Sequence, residues 1–114
     1  MGRLVRGDVV VVPFPFSDLT QVKRRPALVL AELPGTDVIL CPLTTQGTGD
    51  PFAIGVDDND FETGGLRRPS NIRPGRLFTA DSSIVLYQAG RLRQQVVQRA
   101  IDRAVAVLTR NPDA

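Results

Sequence analysis

No histidine occurs among the 114 residues, and cysteine occurs once, as Cys41. The first absence removes the usual general base and the commonest metal ligand, so no Cys/His zinc site can be assembled. The second excludes an internal disulfide framework and fits a reducing, cytoplasmic location. Long apolar runs are missing too. The longest, Val9 to Phe16, contains prolines and is far short of the roughly 18 residues a membrane helix needs. The opening MGRLVRGD carries two arginines without a following apolar stretch, so no secretory signal is expected. There is no P-loop, dinucleotide fingerprint or G-x-S-x-G elbow.

What remains has the balance of an ordinary folded chain, 42% apolar and 23% charged, long enough for one domain over residues 1–114. The net charge is only +2, but its distribution is uneven. All cations except Lys23 are arginines. Lys23, Arg24 and Arg25 lie in an acid-free stretch between Asp18 and Glu32, and Arg67, Arg68, Arg73 and Arg76 in another between Glu62 and Asp81. Arginine's planar fork grips phosphate bidentately, so the two stretches can form a positive face for a nucleic-acid backbone. From charge alone, solvated loops are the better reading of them. The acids Asp57, Asp58, Asp60 and Glu62 form a cluster with no partner cluster elsewhere and read as a solvated turn rather than a metal site. Tyr87 reads as a core residue of an apolar strand. Cys41, within VILCPL, reads as buried and inert.

Pattern and punctuation predict a mainly β chain with one terminal helix. Asp8–Phe14 is a β-branched run too short for a helix. Ser17–Arg25 reads as a polar loop of the long kind that often carries function. Strands are expected over Pro26–Glu32 and Val38–Leu43, joined by the Pro34–Asp37 turn into a hairpin. Thr44–Pro51 reads as a glycine-rich loop and Phe52–Val56 as a short strand. Asp57–Pro69 reads as an irregular excursion, followed by short strands at Asn71–Arg73, Arg76–Ala80 and Ile84–Tyr87. From Arg93 to Arg110 the period changes: Val97, Ile101, Ala104, Val105 and Leu108 form one stripe of an amphipathic helix, stopped by Asn111-Pro112. Arg93 stands where a capping Ser, Thr or Asp is usual, an absence that costs about 1 kcal/mol if nothing replaces it. Short strands divided by Gly/Pro turns suggest a small curled sheet or partial barrel. Counted outward from the hairpin turn, Arg25 and Thr44 fall at roughly the same height, where a cation and a hydroxyl would converge.

In Gly7-Asp8-Val9-Val10, Lys23-x-Arg25-Pro26-Ala27-Leu28-Val29-Leu30 and Leu43-Thr44-Thr45-Gln46, the chain resembles the PemK/MazF family of toxin–antitoxin ribonucleases. Gly64-Gly65-Leu66, Pro69-Ser70-Asn71-Ile72-Arg73 and Gly90-Arg91-Leu92 keep the family order. The Pro13-Phe14-Pro15-Phe16 run is closer to a PemK-like subgroup. The resemblance implies an SH3-like curled sheet shared with CcdB toxins, a homodimer, and cleavage of single-stranded RNA without metal or other cofactor. It also implies a cognate antitoxin that blocks the site with an acidic tail. It puts the catalytic arginine on Arg25 and the catalytic threonine on Thr44, with Lys23, Arg24, Thr45, Gln46, Asn71 and Arg73 along the substrate groove. RNA brings its own nucleophile, the 2′-hydroxyl, so the protein has to orient the strand and neutralise growing phosphoryl charge. Arginine stays protonated in water, so this residue set names no general base. The alternative in another class is a non-catalytic, CcdB-like toxin that grips a protein target such as gyrase.

Overall fold

The computed structural model describes residues 3–15, 22–45 and 49–112. Strands β1 (Asp8–Pro15), β2 (Val22–Glu32), β3 (Asp37–Thr44), β4 (Ile54–Val56), β5 (Phe61–Gly64), β6 (Ser70–Ile72), β7 (Phe78–Asp81) and β8 (Tyr87–Leu92) precede one helix, α1 (Gln94–Thr109). The strands pair in the order β4-β6-β3-β2-β1-β8-β5, and β7 pairs with β3 beside β6. This is a curled, half-barrel antiparallel sheet with a C-terminal helix, the architecture anticipated from the turn spacing. Shifts of register between Val9 and Val10, Val29 and Ala31, and Phe61 and Thr63 provide the bends, because a bulged strand twists and turns more sharply.

The central strands are apolar without alternation because both of their faces are covered. Val9, Leu28, Leu30, Cys41 and Leu43 pack with Val96, Val97, Ala100 and Ala104 on the helix side. Val10, Val12, Ala27, Val29 and Leu40 pack with Leu4, Val38 and Val85 on the other. Asp8 is buried where β1 begins. Its carboxylate accepts bonds from the Val5 N–H (2.9 Å) and the Gln88 amide (3.0 Å), and pairs with Arg91 at 2.8 Å. A buried carboxylate is tolerated because each oxygen has a donor.

Several expectations change. Lys23, Arg24 and Arg25 belong to β2, not to a loop, since the strand begins at Val22. Residues 17–21 of the expected loop lie outside the described residues. The excursion after Asp57 contains a capped 3-10 turn, in which Asp57 and Asp60 bond each other's backbone, followed by β5. Only Phe61 of that strand is buried, so it carries no alternation to read. Residues Pro74–Arg76 form a 3-10 turn, and the strand starts at Phe78. Ser82–Ile84 is likewise a 3-10 turn, capped by Asp81, and the strand runs from Tyr87 to Leu92. Tyr87 is exposed rather than core.

Within β8 lies Gly90, opposite Gly64 of β5. A Cβ on Gly90 would stand 2.5 Å from the Thr63 carbonyl oxygen, and one on Gly64, whose φ is +64°, would collide with the Ala89 carbonyl. The close approach of β5 and β8 therefore requires both glycines. The helix buries Val96, Val97, Ala100 and Ala104, while Val105 and Leu108 of the anticipated stripe face solvent. Val105 lies roughly 80° around the helix from Val97. Leu108 follows the stripe but sits a turn beyond the last buried residue, Ala104. Arg93 makes no side-chain cap, as its residue type implies. Among the described residues no helix is long and apolar enough to cross a membrane.

Candidate functional site

Hairpin β2–β3 is closed at one end by the Pro34–Thr36 turn and opens at the other beside Arg25 and Thr44. From the turn, Glu32 pairs with Val38 and Ala31 with Ile39; after the bulge Val29 pairs with Leu40, Leu28 with Cys41 and Ala27 with Pro42. Continued by two residues, that register sets Arg25 opposite Thr44. Without the bulge it would set Arg25 opposite Thr45. The ladder ends at Ala27–Pro42, and Pro26 and Pro42 both lack the N–H that would carry it on. The strands are thus free to part. Arg25 stays paired with Val12 of β1, and Thr44 pairs with Asn71 of β6.

The parting leaves a cleft of about 170 Å³ lined by Phe14, Arg25, Pro42, Thr44, Arg73 and Arg76, with Leu43 at its base. Phe14 forms one wall and is held edge-on against Phe78, ring centroids 5.1 Å apart. Arg73 arrives from the residue after β6. Its N–H donates to the Pro42 carbonyl at 3.0 Å, and its Nε donates to Asp50 Oδ2 at 3.2 Å. Asp50 is anchored in turn by the Phe52 N–H, 2.9 Å from Oδ1. Beneath the cleft floor, burial pushes the Cys41 thiol up to about 12, a rise the Arg73 backbone bond opposes and Asp50 adds to, so Cys41 is no nucleophile at neutral pH.

Three of the anticipated residues, Arg25, Thr44 and Arg73, therefore line one cleft, with Asn71 next to Thr44 in register. Thr45 and Asn71 line a separate cavity of about 410 Å³ that shares no lining residue with the cleft. Lys23 and Arg24 are exposed on β2. Strand alternation puts Lys23 on the same face as Arg25 and Arg24 on the opposite one, so the three cations do not converge. Gln46 lies outside the described residues. Phe14 and Asp50 have no place among the anticipated residues, and Arg76 is anticipated only as a member of an acid-free arginine run. Asp50 has no sequence signal, because its partner is 23 residues away.

Three guanidinium groups around a hydroxyl suit an anionic, phosphate-bearing ligand. A larger cavity of about 770 Å³ lies at the closed end of the hairpin, where Glu32, Asp37 and Asp81 face Arg3. Its charge is wrong for such a ligand. Among the described residues no group of three or more His, Cys, Asp or Glu side chains could hold a metal ion.

Comparison with known proteins agrees with this architecture. Solved structures share the fold at low sequence identity. A chain of a MazE–MazF crystal structure from Deinococcus radiodurans matches with a TM-score of 0.75 at 19% identity, covering 97% of this chain and 100% of that one. The Mycobacterium tuberculosis toxin MazF-mt6 matches at 0.64 and 22%, covering 87% and 92%. An endoribonuclease in complex with its cognate antitoxin, from a mycobacterial species, matches at 0.68 and 16%, covering 96% and 99%. A search of curated proteins finds no match. The family model of the PemK-like, MazF-like toxins of type II toxin–antitoxin systems matches residues 5–109, almost the whole chain, and the chain belongs to that family.

Proposed function

We propose that the chain, folded as one domain over residues 1–114, is a sequence-specific endoribonuclease toxin that cleaves single-stranded RNA at the open end of the β2–β3 hairpin. The observation that carries the reading is the convergence of Arg25, Thr44 and Arg73 on one cleft. Members of this family are known as endoribonucleases. In the proposed reaction the substrate's 2′-oxygen attacks the adjacent phosphorus, the bond to the 5′-oxygen breaks, and the 2′-hydroxyl proton is ultimately balanced by one taken up at the leaving 5′-oxygen. The products are a 2′,3′-cyclic phosphate and a 5′-hydroxyl. Arg25 neutralises charge on a non-bridging oxygen, Thr44 donates a hydrogen bond to the phosphoryl group, and Arg73 fixes the strand. Lys23, Thr45, Gln46 and Asn71 contact flanking nucleotides, and Arg24 adds to the attractive field from the opposite face. None of these roles calls on a metal or cofactor.

The toxin acts in the cytoplasm as a homodimer and is held inactive by a cognate antitoxin. Support for the antitoxin comes from similar proteins solved with theirs. The test is cleavage of a long single-stranded RNA by purified protein in EDTA, with product ends mapped. Arg25→Ala and Thr44→Ala should fold normally and lose about 10²–10³-fold in rate, the usual effect of removing one charge-stabilising donor. Full activity in both variants would refute the assignment. No cleavage of varied RNAs by the folded wild type would favour the CcdB-like reading, a toxin that binds a protein target such as gyrase.

A further inference from the structure

The cleft does not end at Arg76. Arg73 and Arg76 also line a second groove, of about 570 Å³, whose far wall is the end of α1 with Val107, Arg110 and Pro112. The two depressions share Arg73 and Arg76, the residues flanking the Pro74-Gly75 saddle; Gly75 itself lines the second groove, and a Cβ built there would meet no atom within 4 Å. Beyond the saddle the Arg110 guanidinium lies 5.6 Å from the centroid of the Phe52 ring. The Phe52 carbonyl is occupied by Arg103, which donates to it at 3.2 Å. Among the described residues Asp50 is the one acid lining this groove, and it is engaged by Arg73.

A groove continuous with a phosphate-binding cleft, walled by three arginines and carrying a stacked arginine–aromatic pair, has the features single-stranded nucleic acid uses. Cations track the backbone, and a base can stack on the outer plane of a guanidinium. Resting on the nuclease reading above, we propose that this second groove is an extended RNA subsite. Nucleotides flanking the scissile phosphate cross the Gly75 saddle, with a phosphate held by Arg110 and a base laid against the Arg110–Phe52 pair. The helix end then sets how long an RNA is gripped, separately from the residues at the cut.

The experiment measures binding of fluorescein-labelled, fully 2′-O-methylated random RNAs, which lack the attacking hydroxyl, at lengths of 4 and 12 nucleotides over a range of salt. The wild type should bind the 12-mer more tightly and with a steeper salt dependence. Arg110→Gln should weaken 12-mer binding about three- to tenfold and flatten its log–log salt slope by roughly 0.7, one phosphate contact on a single strand. Affinity for the 4-mer should not change. Arg110→Lys should retain the slope while losing part of the affinity. Gly75→Glu, at a position where a Cβ meets no atom within 4 Å, should reproduce the 12-mer defect without substituting the helix.

Identical 12-mer affinity and slope in wild type, Arg110→Gln and Gly75→Glu would overturn the subsite. So would a wild type that binds neither probe, or Arg110 variants that weaken only capture of an acidic peptide. Cleavage of long unmodified RNA, lost in Arg25→Ala, is scored on the same preparations. The nuclease reading can therefore survive the loss of the subsite, and its own failure is seen directly.

Discussion

Replacing Asp50 by asparagine keeps the size of the side chain and an acceptor for the Phe52 N–H, but removes the charge facing Arg73. The pair stands at 3.2 Å, with Asp50 10% and Arg73 26% exposed. At that separation the gross attraction is about 5 kcal/mol at an effective dielectric of 20 and about 1 kcal/mol in water. Desolvation offsets much of the larger figure, and Arg73 retains enough exposure to rehydrate. The net loss should fall near 1–2 kcal/mol, within the range for a charge-assisted hydrogen bond. For a chain of this length that lowers Tm by about 4–8 °C. Function should divide differently. Removing a negative charge beside the cleft strengthens RNA binding at low salt, whereas releasing Arg73 slows single-turnover cleavage. On the proposed nuclease reading Asp50 is thus expected to act as a positioning residue. The assay is a double-mutant cycle of Asp50→Asn and Arg73→Gln, read by thermal unfolding and by single-turnover rate against RNA concentration. Strictly additive effects on Tm, or an Asp50→Asn rate equal to wild type at saturating RNA, would refute the argument.

Asp8→Ala should cost about 2–4 kcal/mol, visible as a lower urea midpoint, because it strands the Val5 N–H and leaves Arg91 without its buried partner. Gly90→Ala should destabilise by about 1–3 kcal/mol or more, since the methyl group would meet the Thr63 carbonyl and the Gly65 nitrogen, both backbone; an unchanged Tm would show that β5 can move aside. Cys41, raised from 9.0 to about 12 by burial, should react with a thiol reagent at neutral pH only as fast as the protein opens. A thiol held neutral in the fold favours the native state at neutral pH. That contribution should diminish above pH 9, where the unfolded thiol ionises, and be gone once pH passes about 12; Cys41→Ser should flatten this alkaline limb of a stability–pH curve.

The parts of the fold that could be read in advance are those where a residue's own chemistry settles its structure. The runs DVVVV and PALVLA are buried on both faces, and Pro34-Gly35 can hardly be anything but a turn, so β1 to β3 follow directly. The strands that were misplaced owe their form to neighbours. Residues 87–92, YQAGRL, have weak strand propensity and become β8 because β1 and β5 bond them from both sides. The exposed end of α1 could not be foreseen from period alone, since a period gives direction around a helix and not where the sheet beneath it stops. The site divides in the same way. Arg25 and Thr44 were legible through hairpin counting and family motif, Arg76 through its charge run. Phe14 belongs to the cleft, and Asp50 is tied to it through Arg73, because of distant residues that hold them in place.

The bulge near Leu30 determines which threonine the cleft receives. Counting from the turn without it brings Thr45 opposite Arg25, and strand alternation would then turn Thr44 to the other face. One extra residue in β2 exchanges them. Leu30 is itself buried against the helix-side core, where it packs in the cluster that holds Leu28 and Val96. The register at the cleft is thus maintained by apolar burial some distance from it, between the closed end of the hairpin and its open one. That arrangement places the proposed catalytic pair, Arg25 and Thr44, on strands rather than loops, one held to β1 and the other to β6. A site without a general-base histidine depends on such placement, since its proposed contribution is charge held at a fixed point. Core substitutions at Leu30 should therefore disturb the cleft through register before they unfold the protein, while substitutions at the Pro34–Thr36 turn, on the near side of the bulge, should leave it in place.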